Sequence, residues 1–119
     1  MTTLEDGSFD PGAIESLKRA MARSPDGAER VIAKFLADAP GWVETVRAAG
    51  ARQDWGVLAR TAHDLKSTAR LLGGRGLGQL AARIEAAAKT DRMAAEDVAR
   101  LDAALAALSA ALEPYRARA

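Results

Sequence analysis

The sequence contains no cysteine and only one histidine. Without cysteine there are no disulfides, no thiolate nucleophile and no cysteine metal site, which suits a compartment where disulfides would not help. With a single imidazole, a zinc site would need three carboxylates around it, an uncommon set. A metal enzyme is therefore set aside, and no metal or cofactor is expected. Aromatic residues are also scarce, at two Phe, two Trp and one Tyr. No run of about 18 uncharged apolar residues is present to span a bilayer. The opening stretch MTTLEDGSFD lacks the basic and apolar regions of a signal peptide. A cytoplasmic protein with no membrane role is the expectation. An excess of one charge is missing too: 17 basic residues face 16 acidic ones, a net charge of +1. Nucleic-acid binders usually show a basic excess, so no nucleic-acid partner is expected and any electrostatic message must be local.

What the sequence does hold is Ala and Leu, both strong helix formers, in a chain of 119 residues with 49% apolar content. That length fits one domain, 1–119, with residues 1–9 as a flexible N-terminus. Asp10-Pro11 is a helix opening, an N-cap followed by Pro at the first helical position, and Ile14, Leu17 and Met21 form one stripe. Ser24-Pro25-Asp26-Gly27 breaks the pattern. Val31, Phe35, Trp42, Val46 and Ala49 then suggest a longer helix to Gly50, which Pro40-Gly41 should kink or divide. Asp54 can cap a third helix in which Trp55, Leu58, Ala62, Leu65, Ala69 and Leu72 recur at steps of three and four. Gly73-Gly74 stops it, and a fourth helix carries Leu77, Leu80, Ile84 and Ala88 as far as Thr90-Asp91. A last helix from Met93 repeats the rhythm with Val98, Leu101, Leu105, Leu108, Leu112 and Tyr115, and Pro114 disturbs only its final turn. The fold expected is all-α: an antiparallel, up-and-down four-helix bundle with a short additional N-terminal helix.

At 100° per residue, His63 lies roughly 130° around the third helix from the centre of its apolar seam, so it should face water. Arg60, Lys66, Ser67 and Arg70 share that surface and make a basic strip around the imidazole. Neutral imidazole is nucleophilic at neutral pH, and nearby cations favour a phosphoryl group's charge. Phosphoryl transfer needs mainly positioning and charge neutralisation. On spacing alone, an ordinary surface histidine on a solvated helix face explains the same pattern. Trp42 and Trp55 fall on apolar stripes and read as core rather than as a stacking platform. Gly73-Gly74-Arg75-Gly76 lacks the Gly-Lys-Ser/Thr and the preceding strand of a phosphate loop, and reads as a helix break.

The stretch His63-Asp64-Leu65-Lys66-Ser67, with Gly73 six residues further on, resembles the H-x-L-K-G…Gly signature of histidine-containing phosphotransfer (HPt) domains. Leu77 and Ala82-Arg83-Ile84-Glu85 resemble the family's following helix, and Phe35-Leu36-Ala37-Asp38-Ala39-Pro40 its upstream one. Ser67 departs from the family's usual Gly but keeps the position small. The resemblance implies that His63 is phosphorylated, that Lys66 helps neutralise the phosphoryl group and that Gly73 permits the turn; Ser67 and Gly73 join Arg60 and Arg70 as candidate partner-binding residues. Arg60 and Arg70 lie outside the family motif, and their role in steering an acidic partner rests on helical geometry alone. The implied function is that of a monomeric intermediate in a bacterial two-component phosphorelay. It would accept from the phospho-aspartyl receiver domain of a hybrid histidine kinase or response regulator and donate to another receiver. Magnesium would belong to the receiver. With no nucleotide motif, the chain is expected to be a carrier without kinase activity. Two alternatives remain at this point: a helical adaptor that binds through the His63 face without phosphorylation, and a soluble enzyme whose cleft the sequence does not reveal.

Overall fold

A computed structural model describes residues 5–116 of the chain. The first helix, α1 (Pro11–Ala20), starts as its opening suggests: Asp10 Oδ1 accepts from the Gly12 N–H at 2.9 Å, with Pro11 in the first turn. Ile14 and Leu17 are buried, and Met21 packs at the core's edge.

The second helix, α2 (Gly27–Arg52), is unbroken, so the expected division at Pro40-Gly41 does not occur. Both residues lie on the exposed side of the helix, while Ala39 and Val43 beside them are buried. Proline's missing N–H therefore costs a hydrogen bond on the solvent side, where water can satisfy the freed carbonyl. The buried stripe runs through Ile32, Phe35, Ala39, Val43, Val46 and Ala49. Val31 and Trp42, expected within the stripe, sit half-buried at its border, where Trp42 meets Phe35 edge-on at 6.2 Å.

Gln53, in the left-handed region at φ 58°, ends α2, and Asp54 immediately caps α3 (Trp55–Leu71) by accepting from the Val57 N–H. Leu58, Ala62, Leu65, Ala69 and Leu72 are fully buried, as the seam requires, with Trp55 half-buried at its start. Gly73, at φ +83°, turns the chain into α4 (Arg75–Ala88), whose Leu77, Leu80, Ile84 and Ala88 face the core.

The last helix was expected to be single but is two, α5 (Ala95–Ala99) and α6 (Leu101–Leu112). At the join, the Arg100 N–H bonds to the carbonyl three residues back, Asp97 O, at 3.1 Å, so the turn tightens locally. Val98, Leu101, Leu105, Leu108 and Leu112 nonetheless continue one buried face across the break. Pro114 lies in a short 3₁₀ turn, Glu113–Tyr115.

Four antiparallel layers, α2, α3, α4 and α5–α6, close around this core, with α3 against α4 the most extensive packing and α1 laid across α2 and α3. Each fully buried Leu, Ile or Phe stabilises the bundle by roughly 1.5–3 kcal/mol relative to exposure. Of the stretch 1–9 expected to be flexible, residues 1–4 lie outside the described residues, while 5–9 make defined contacts. Asp6 holds Arg100 in a two-pronged ion pair, Ser8 O accepts from the Gly76 N–H, and Phe9 bridges to Gly74. No helix among the described residues is long and apolar enough to cross a membrane.

Candidate functional site

The fold places His63 midway along α3 on the side away from the seam, and its side chain is 55% exposed. What fixes the ring is a residue of α4. Glu85 Oε2 lies 3.0 Å from His63 Nδ1, and Glu85 is itself only 8% exposed. Its other oxygen, Oε1, accepts from Lys66 Nζ at 2.5 Å, and Lys89 Nζ stands 3.4 Å from Oε2. One inward carboxylate thus ties together a histidine and two lysines from two helices.

Burial by itself pushes the Glu85 carboxyl up. The hydrogen bond and charge of Lys66, the hydrogen bond to His63 and the charge of Lys89 outweigh it and hold the group below its ordinary value. Glu85 is therefore ionised at neutral pH and can only accept hydrogen bonds. The proton between it and the imidazole must sit on Nδ1, which leaves the lone pair of the neutral ring on Nε2, the atom across the ring from Glu85. The arrangement yields an oriented nitrogen nucleophile on an exposed ring, with a carboxylate behind it and two ammonium groups paired to that carboxylate.

The other residues singled out from sequence divide. Arg60, Ser67 and Arg70 are exposed on the His63 side of α3, as expected. Leu71, roughly 80° around the helix from His63, is a large apolar side chain left 50% exposed. Lys66 is not a free cation: it is 21% exposed and bound to Glu85, whereas Lys89 is 66% exposed. Gly73, expected among the partner-binding residues, is buried beneath the N-terminal segment. A Cβ there would come within 2.3 Å of Asp10 O, so its role is in the turn and not on a docking face.

Sequence reasoning missed Glu85 and Lys89 as parts of the site. A signal for Glu85 exists: it follows Leu77 and Ala81 at helical spacing, on a face otherwise apolar. An acid where the stripe calls for an apolar residue needs a partner, and the sequence alone does not say which residue of α3 stands opposite.

Comparison with known proteins bears on the family and the fold. The family profile described as Hpt domain matches residues 30–111. The fold is similar to that of the crystal structure of histidine-containing phosphotransfer protein B (HptB) from Pseudomonas aeruginosa PAO1, with a TM-score of 0.79 and 19% identity, covering 90% of this chain and 92% of that one. No curated protein matches the chain significantly.

Proposed function

The chain belongs to the Hpt domain family, and from that premise we propose that it is a phosphorelay intermediate phosphorylated on Nε2 of His63. The observation that carries the proposal is the 3.0 Å contact between His63 Nδ1 and the buried, ionised Glu85, because it sets both the tautomer and the direction of the free lone pair. In the forward step, the Nε2 lone pair attacks the phosphorus of an aspartyl phosphate on a receiver domain. The P–O bond to that aspartate breaks, and its electron pair leaves with the aspartate carboxylate. No proton needs to move, since Nδ1 keeps its hydrogen. The positive charge that appears on the ring is met by Glu85. The reverse of the same step, onto a second receiver, completes the relay.

Lys66 and Lys89 supply positive charge next to the phosphoryl group. Lys66 does so from a fixed position against Glu85, and Lys89 from a longer, more exposed contact that can turn toward the phosphoryl oxygens. Leu71 and the arginines of the His63 side form the surface on which a receiver docks, and the protein acts as a monomeric carrier with no kinase step of its own.

The test is incubation with a panel of phosphorylated receiver domains, followed by mapping of acid-labile, base-stable phosphate. Label is expected on His63 and absent from His63→Gln. A His63→Gln protein that still becomes labelled removes the assignment. Receivers that bind wild type and His63→Gln equally, with no label on either, would identify an adaptor instead.

A further inference from the structure

Two turns along α3 from His63, the same helix face carries a second feature, at the point where α3 crosses α4 next to the hairpin turn. There Arg70 lies across Gly78: a Cβ on Gly78 would stand 2.9 Å from Arg70 Cγ, 3.6 Å from Nε and 3.8 Å from Cδ. The glycine thus provides a seat for the arginine stem, which runs along the backbone of α4 instead of swinging in solvent. Beyond the seat, Arg70 lines an open notch of about 360 Å³ together with Arg75, Gln79 and Asp10. Neither Arg70 nor Arg75 makes an ion pair among the described residues. Asp10 has its Oδ1 committed to the Gly12 N–H at the start of α1. The first N–H groups of α4 are occupied as well, Arg75 N bonding to Gly73 O and Gly76 N to Ser8 O. The free donors of the notch are therefore those of two guanidinium groups and one amide, with the second oxygen of Asp10, Oδ2, as an acceptor at the rim that the two cationic groups outnumber.

We propose that this notch is a specificity site for an acidic side chain, an aspartate or glutamate presented by the receiver that docks over His63. The inference rests on the proposed function, since it takes the His63 face to be the docking face. A planar guanidinium matches a carboxylate in a two-pronged fork. A stem already laid down on Gly78 loses less freedom on binding than a free surface arginine. Seven residues of α3 separate Arg70 from His63, roughly 10 Å along the helix, so one interface of ordinary size, about 800 Å² per partner, covers both. Phosphoryl transfer and partner choice would then be handled two turns apart on one helix.

The test measures binding and transfer separately in the full chain, using the receiver domains that bind it. Arg70→Ala and Arg75→Ala should each weaken receiver binding about tenfold, the effect of losing a charge-assisted hydrogen bond, while the transfer rate at saturating receiver stays within about twofold. The decisive variants keep the charge. Gly78→Ala pushes the Arg70 stem off its seat, and Arg70→Lys removes the fork, so both should reproduce most of the binding loss at every salt concentration. If these two bind like wild type and the Arg70→Ala defect fades with added salt, Arg70 is only a steering charge and the notch is overturned. Receiver that binds, with these effects, but never labels His63 would sink the carrier function and leave the notch standing. Binding by no receiver overturns both.

Discussion

The α3–α4 hairpin crosses at two levels seven residues apart on each helix, His63 over Glu85 and Arg70 over Gly78, and the two are built from opposite materials. At the first level two polar side chains meet, and the gap between the helices is filled by a carboxylate with three nitrogen partners. At the second, one long side chain crosses a residue that has no side chain, and the space is made by that glycine. A buried charge must be surrounded by partners and so becomes a rigid, specific cluster. A glycine lets another chain come close and leaves that chain's polar end free for something outside the protein. On the proposed reading, one hairpin would hold a chemical station and a recognition station without either needing the other's residues.

The largest effect that would sharpen this contrast is at the chemical level: His63→Gln should lose phosphoryl acceptance completely, while thermal unfolding shifts little, because a half-exposed side chain contributes little packing. A large drop in melting temperature would show that the His63–Glu85 pair is a structural element first.

Beneath both levels lies the seam, where Leu65→Ala should cost roughly 2–5 kcal/mol in chemical denaturation, since Leu65 is fully buried. An unchanged midpoint would mean that the hairpin is held by its polar contacts, which would reverse the comparison.

The glycines offer a finer cut. At Gly76 a Cβ would meet backbone, Glu5 O at 2.1 Å and Asp6 O at 2.2 Å, whereas at Gly78 it meets only a flexible side chain. Gly76→Ala should therefore displace the N-terminal segment and its ion pair to Arg100, losing on the order of 1–3 kcal/mol. Gly78→Ala should change stability by less than about 1 kcal/mol, because the helix gains what Arg70 gives up. Equal losses at the two sites would remove the distinction between a strap seat and a side-chain seat.

The smallest expected effect is on pH dependence. The Glu85 carboxyl is depressed below its ordinary 4.5 in the folded chain, so the stability it contributes is complete above that value and fades as pH falls through the depressed one. Glu85→Gln should be less stable than wild type by about 1 kcal/mol at neutral pH, and the difference should shrink at pH below 4.5. A gap that is constant with pH would mean that packing of the side chain, and not its charge, is what α4 contributes.

Much of this molecule was legible before its tertiary structure. The apolar residues of α3 recur so regularly that Leu58, Ala62, Leu65, Ala69 and Leu72 can be placed in the core, and His63 on the opposite side, from helical angles alone. Asp10 and Asp54 announce their helices because capping is a contact within three residues. The errors fall where local rules meet a wider setting. Pro40 does not divide α2, because its missing bond lies toward solvent. The last helix breaks at Arg100, where no proline or glycine marks the place, beside ion pairs to Asp97 and, 94 residues earlier, Asp6. What the sequence by itself determined was where the helical segments lie, the buried face of each and the identity of the exposed imidazole, all consequences of a period of 3.6 residues. Only the tertiary structure decided that Glu85 stands behind that imidazole, that Lys66 is bound and Lys89 more exposed, and that Gly78 seats Arg70. Each of these depends on the register of one helix against another, which is set by the packing of whole faces and by how closely glycine lets two backbones approach.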